Sequence, residues 1–205
     1  MTAVKPFVIG LTGSIGMGKS ETAKLFAGEG VPVFDADAAV HDLYAGEAAA
    51  MIEAAFPGTT KNGAVDRTAL AACIGTDAGA LKRLEGLVHP LVTARKREFL
   101  ARNPNAPVVV LDIPLLLETN EAVDAVVVAT APHAVQRARV LARSGMSQAK
   151  FDALLARQLG DAEKRAQAHY LVMTDQGLDH AREQVKMILA DIQRRLREQE
   201  PQLKK

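Results

Sequence analysis

Phe7-Val-Ile-Gly-Leu-Thr12, followed at once by Gly13-Ser-Ile-Gly-Met-Gly18-Lys19-Ser20, decides the fold of this chain. The first six residues are short, apolar and closed by glycine, as in a parallel strand buried on both faces. The next eight fit G-x-x-x-x-G-K-[ST]. Small residues there let backbone N–H groups curl around phosphate oxygens. A helix predicted from about Gly18 to Ala27, stopped by Gly28 and Gly30, adds free N–H groups and a favourable dipole. Lys19 is suited to bridging terminal phosphates and the Ser20 hydroxyl to holding Mg²⁺. The rival reading is a glycine-rich turn without a ligand. Average residue usage makes a chance match in a chain of this length roughly one in a hundred, and this match also stands between a predicted strand and a predicted helix. Gly13, Ser14, Ile15, Gly16, Met17, Gly18, Lys19 and Ser20 are therefore the candidate nucleotide-binding residues.

Working outward, Val31–Phe34 reads as a second strand ending at Asp35-Ala-Asp37, and Val108–Leu111, Ala122–Thr130 and Tyr170–Met173 as further strands. Helical stretches alternate with them, which implies a parallel sheet of about five strands covered on both faces. Leu178–Leu196 is an amphipathic helix with Ala181, Val185, Ile188, Leu189, Ile192 and Leu196 on one face. From about Ala38 to Asn105 the chain is alanine-rich and helical, broken at Pro57-Gly58, Asn62-Gly63 and Gly75, and reads as an insertion between the second and third strands. His89-Pro90 is expected to end a helix within it.

The 205 residues carry 25 basic and 24 acidic side chains, a net charge of +1. That balance speaks against a broad nucleic-acid or membrane surface. No apolar run reaches the length of a membrane span, and the start, Met1-Thr-Ala-Val-Lys-Pro, lacks the pattern of a secretory leader. The single Cys73 forbids an internal disulfide and fits a reducing compartment. A cytoplasmic protein, monomeric or weakly homo-oligomeric, is expected. His41, His89, His133, His169 and His180 form no metal-ligand pair, so no structural zinc is expected.

Three further groups bear on chemistry. Asp112 follows an apolar run and is a candidate to hold Mg²⁺; a turn cap before Pro114 is the equal alternative. Asp35 and Asp37 stand past the second strand, where parallel sheets bind ligands; one carboxylate can cap the next helix while the other orients a metal or accepts a proton. Arg137, Arg139, Arg143, Arg157 and Arg165 are either a solvated helix face or charges that close over phosphates, and Arg143 is favoured for the second role.

Several segments together resemble the dephospho-CoA kinase family. They are the phosphate loop, Val33-Phe-Asp-Ala-Asp37, Gly63-Ala-Val-Asp-Arg67-Thr-Ala-Leu70, Leu84-Glu-Gly-Leu-Val-His89-Pro90, Asp112-Ile-Pro-Leu-Leu-Leu-Glu118 and Gln136-Arg-Ala-Arg139-Val-Leu-Ala-Arg143. The resemblance runs from about Phe7 to Leu196. It implies an α/β P-loop NTPase core (1–37, 106–142 and 166–205), a helical acceptor domain (38–105) and a short arginine-rich lid (143–165). It also implies transfer of the ATP γ-phosphoryl to the ribose 3′-hydroxyl of dephospho-CoA, giving CoA and ADP. Asp37 would take the hydroxyl proton. Lys19 and Ser20 with Mg²⁺ would grip ATP, Glu21 would flank it, and Arg143 would close from the lid. Arg67, His89 and Pro90, with Pro114, Leu115, Leu116 and Glu118, would form the acceptor side.

Two positions depart from the family pattern. Glu21 stands where a threonine is common. Ala168-His169-Tyr-Leu-Val-Met-Thr174 stands where A-D-x-[VI]-[IV]-x-N is common, which changes the adenine-side loop. Another small-molecule or nucleotide kinase on the same core is the alternative reading. A non-enzymatic switch is a third, but the guanine-reading N-K-x-D segment it calls for is absent from the sequence.

Overall fold

The structure, a computed structural model, describes residues 5–75, 77–119 and 121–199. Residues 1–4 of the amino-terminal run therefore lie outside the described residues, as do 200–205 at the carboxyl end. The elements run β1 (Phe7–Thr12), α1 (Lys19–Gly28), β2 (Val33–Asp35), α2 (Ala36–Tyr44), α3 (Ala49–Ala55), β3 (Thr60–Lys61), β4 (Ala64–Val65), α4 (Arg67–Ile74) and α5 (Ala78–Arg102). They continue β5 (Val108–Asp112), β6 (Ala125–Thr130), α6 (His133–Leu141), α7 (Gln148–Leu155), α8 (Asp161–Ala166), β7 (Tyr170–Met173) and α9 (Leu178–Gln199). The chain divides into two compact units, one holding the residues up to Phe34 and those from Asn103 onward, the other Asp35–Arg102.

The first unit holds a five-stranded sheet in the order β2-β5-β1-β6-β7. β1 pairs in parallel with β5 on one side and β6 on the other, and β6 with β7. β5 and β6 are buried along their whole length, which explains why they read as unbroken β-branched runs rather than as alternation. Ile9, Leu11, Phe26, Val110, Val127, Val172, Val185 and Ile192 form the core under α1 and α9. Leu116, Val126 and Val128 form a separate apolar cluster. The fold is an α/β sheet flanked by helices, with the phosphate loop between β1 and α1.

β6 begins at Ala125, three residues later than expected. Asp124 accounts for this: its N–H donates to Val8 O at 2.8 Å and its carboxylate accepts from Val8 N–H at 2.7 Å. A side chain thus closes the ladder where backbone pairing would otherwise begin.

The second unit is built on Leu43, Ile52, Phe56, Leu70, Leu84 and Val88. Its short β3–β4 hairpin is tied down by Glu53, which accepts N–H groups from Gly58, Thr59 and Thr60 and the Thr60 hydroxyl. The helix end expected at His89-Pro90 does not occur, because α5 runs through Pro90 to Arg102. The proline removes the donor that would serve the carbonyl of residue 86 and crowds it. Residue 86 is glycine, whose backbone adjusts at the least steric cost.

Candidate active site

The phosphate loop is built by close packing from outside. Gly16 has φ +80° and Gly18 has φ +87°, and Gly18 is the residue from which α1 starts. A side chain at either would be strained, and a Cβ on Gly16 would lie 2.5 Å from Val140 Cγ2. Gly13 is constrained differently: a Cβ there would come within 2.7 Å of the Ala129 carbonyl oxygen. The loop closes a turn of its own, Met17 N–H to Ser14 O at 3.1 Å. Met17 is 2% exposed and its sulfur accepts the Ala131 N–H, so its side chain packs inside the protein.

The carbonyls of the loop are held from behind. Gln136 Nε2 donates to Ile15 O at 2.9 Å, Arg139 Nη1 approaches Gly16 O at 3.4 Å, and the Thr174 hydroxyl donates to Met17 O at 2.9 Å. Arg139 also donates to Thr174 Oγ1 at 2.8 Å and Thr174 O at 2.6 Å. The Ile15 N–H, for its part, lies 3.3 Å from Gln158 Oε1. Arg139, open in the sequence between a solvated face and a phosphate-closing role, is thus given to the back of the loop.

Lys19, the first residue of α1, meets the Asp112 carboxylate at 2.6 Å. Asp112 ends β5, is 2% exposed, and lies in register with Leu11. Ser20 and Glu21 are exposed on the first turn of α1, and Glu21 pairs with Lys24 at 2.7 Å. Ser20 and Asp112 offer hard oxygen donors suited to Mg²⁺. Among the described residues no group of three or more His, Cys, Asp or Glu side chains is assembled to hold a metal.

Arg143 lies just past the carboxyl end of α6 and is exposed. The return from the expected lid is anchored at two points. Thr130 Oγ1 donates to Asp161 at 2.8 Å. Lys164, wholly buried, donates to Glu118 Oε1 at 2.9 Å and approaches Pro114 O at 3.4 Å. Glu118 Oε1 also accepts Leu159 N–H at 2.9 Å. Burial alone would raise the Glu118 carboxyl; the Lys164 ammonium and the Leu159 amide outweigh it and hold the group below its ordinary value.

Two residues expected on the acceptor side have partners within the fold. Glu118 bonds Lys164 and the Leu159 N–H. Leu116 is 1% exposed and fills the core; a Cβ on Gly10 would come within 2.5 Å of its Cδ2. Leu115 is exposed and Pro114 half-buried, and the Pro114 carbonyl accepts the Thr12 hydroxyl at 2.9 Å.

In the second unit, Asp35 and Asp37 separate in role. Asp35 caps α2, its Oδ1 accepting Ala38 N–H at 2.9 Å. Asp37, exposed in the first turn of α2, lines a cavity of about 530 Å³ with Val40, Tyr44, Arg67, Leu70, Ala71 and Ile74. The Arg67 guanidinium lies 5.5 Å from the Tyr44 ring centre, in cation–π range. Burial pushes the Tyr44 hydroxyl up and Arg67 partly offsets it. Tyr44 went unnoticed in the sequence; its seven-residue spacing from Asp37 on one helix, two turns, was the available signal. His89 and Pro90 are exposed on α5 and are not among the residues lining this cavity.

The comparisons with known proteins agree with this geometry. The family model described as dephospho-CoA kinase matches residues 7–180. The dephospho-CoA kinase of Rhodopseudomonas palustris (strain BisB18) is 59% identical over 187 residues, 89% of this chain and 94% of that protein. A crystal structure from Thermus thermophilus superposes with a TM-score of 0.82 at 35% identity, covering 92% of this chain and 98% of that one. The dephospho-CoA kinase of Campylobacter jejuni shares the fold, with a TM-score of 0.64 at 22% identity over 92% of this chain and 98% of that one. A phosphate loop built on glycines, a lysine at the head of its helix and a family match over most of the chain lead to one conclusion: the chain belongs to the dephospho-CoA kinase family, kinases that complete coenzyme A synthesis by phosphorylating the ribose 3′-hydroxyl of dephospho-CoA with ATP.

Proposed function

We propose that Lys19 and amides of the Gly13–Ser20 loop, other than the Met17 and Ile15 N–H groups bonded within the fold, grip the β- and γ-phosphates of ATP, and that Asp37 accepts the proton of the acceptor hydroxyl. The freed oxygen attacks the γ-phosphorus, the bond from that phosphorus to the β-bridging oxygen breaks, and ADP leaves. The observation that carries this reading is the loop itself: Gly16 and Gly18 at positive φ, with Lys19 opening α1 immediately after them. A glycine-built loop that runs straight into a helix start favours a polyphosphate over any neutral ligand. Asp37 suits a proton acceptor because its neighbour Asp35 takes the capping duty, which leaves its own carboxylate for chemistry.

Ser20 and Asp112 would hold Mg²⁺, which, bound with ATP, neutralises charge on the phosphate oxygens. Arg67 and Tyr44 line the cavity beside Asp37 and are suited to an acceptor that combines anionic groups with a planar base. Leu115, Pro114, His89 and Pro90 complete the acceptor side in this reading. Residues 143–165 act as a lid over the core, with Arg143 as the cation that meets the transferring phosphoryl and 38–105 as the acceptor domain. Closure excludes water, which would otherwise take the phosphoryl. Among the described residues no helix is long and apolar enough to cross a membrane. The working form in this reading is a cytoplasmic monomer or weak homo-oligomer whose substrates are ATP and dephospho-CoA.

An acceptor panel tests the reading. With ATP and Mg²⁺, dephospho-CoA should be converted to CoA, while nucleosides, nucleoside monophosphates and shikimate are left unchanged. Turnover of another acceptor with dephospho-CoA untouched would replace this reading by the alternative kinase.

A further inference from the structure

We infer that Gln136, Arg139 and Thr174 are positioning residues that preset the phosphate-gripping amides by holding the loop's carbonyls on the far side. The inference rests on the loop being the ATP site. A trans peptide is planar, so its C=O and N–H point in opposite directions. Whatever fixes the carbonyl of residue i therefore aims the N–H of residue i+1. Gln136 fixes Ile15 O and so aims the Gly16 N–H. The Thr174 hydroxyl fixes Met17 O and so aims the Gly18 N–H. Arg139, 3.4 Å from Gly16 O, backs the peptide between them and locks Thr174 through both its hydroxyl and its carbonyl.

The need for such bracing follows from the same geometry. Gly16 and Gly18 are the residues with positive φ in the loop, and glycine visits alternative conformations at little cost. Without an external hold, the two peptides can rotate, and ATP binding then bears the ordering entropy. The three braces come from two separate stretches, α6 and the residue after β7, and each of their bonds to the loop ends on a carbonyl oxygen. Thr174 is also packed tightly, since a Cβ on Gly18 would fall 2.9 Å from its side chain.

The test pairs Thr174→Val, which keeps the shape and removes the hydroxyl, with Thr174→Ser, which keeps the hydroxyl. MgATP affinity is measured by calorimetry, and KM is measured separately for ATP and dephospho-CoA. Thr174→Val should weaken ATP about tenfold, the size of one lost hydrogen bond, with KM for dephospho-CoA unchanged; Thr174→Ser should retain parental ATP affinity. Parental ATP affinity in Thr174→Val, or an equal rise in both KM values, overturns the inference. Should Thr174→Val fail to fold, Gln136→Met, which removes only the bond to Ile15 O, carries the same expectation and the same refutation. A parent protein that binds no MgATP would instead sink the reading of the loop itself.

Discussion

Replacing Lys164 by methionine isolates the one wholly buried cation among the described residues. Its side chain is 0% exposed and Glu118, its partner, is 20% exposed. Glu118 Oε2 is already buried without a hydrogen-bond partner. Removing the ammonium leaves the carboxylate with the Leu159 amide and little else. Breaking a buried pair in this way costs about 3–5 kcal/mol. At 2–4 °C per kcal/mol for chains of this size, the midpoint should fall by roughly 6–20 °C. The double variant Lys164→Met/Glu118→Leu should recover most of the loss, because an apolar pair of similar volume carries no desolvation cost. The pH dependence has a definite sign. Glu118 is held below its ordinary value of 4.5 in the folded parent. Its contribution is therefore full above that value and is lost as pH falls through the depressed folded value. In Lys164→Met, burial is opposed by backbone hydrogen bonds alone and the carboxyl rises relative to the parent, so the deficit should be widest near neutrality and should narrow on acidification. Urea unfolding across pH measures it. A loss below about 1 kcal/mol at neutral pH, or a deficit independent of pH, would refute the assignment of the pair as the anchor of α8.

Further expectations follow from the same contacts. Asp35→Ala should cost about 1 kcal/mol of stability through the lost α2 cap and leave the catalytic rate intact, as thermal unfolding and steady-state rates will report. Gly16→Ala should abolish MgATP binding measured by calorimetry, since its Cβ meets Val140 at 2.5 Å from a φ of +80°. Ser20→Ala should raise the Mg²⁺ concentration needed for half-maximal rate at fixed ATP while unfolding is unchanged; an unaltered Mg²⁺ response would remove Ser20 from the metal site.

The parts legible in the sequence were those whose causes are local. The phosphate loop is legible because its demands on small residues, lysine and serine fall within eight consecutive positions. The strands of the five-stranded sheet are legible as apolar runs, and a cap by one of Asp35 and Asp37 as a carboxylate ahead of a helix, whereas the two-residue strands β3 and β4 are too short to show a pattern. Pro90 misled, since proline ends most helices and the relief offered by Gly86 works only once the helix exists. The brace behind the loop was hidden by distance: Gln136 and Thr174 lie 121 and 157 residues from the carbonyls they hold. Glu118 and Leu116 carry the family's motif, yet their side chains answer to Lys164 and to Gly10. A motif marks the segment and packing decides which of its side chains reaches a ligand. His169 is similar: it stands where an aspartate is common, and its Nδ1 accepts the Val126 N–H at 3.1 Å, an acceptor role that a carboxylate would also fill.

In the proposed reaction the Asp37 carboxylate takes the proton while the loop holds ATP. The measurement that addresses it most directly is the rate of CoA formation by Asp37→Asn at saturating ATP and dephospho-CoA, with MgATP affinity measured on the same preparation. The account predicts a fall in kcat of at least roughly a hundredfold, the low end for a general base, with nucleotide affinity unchanged. A variant that turns over at the parental rate would contradict it.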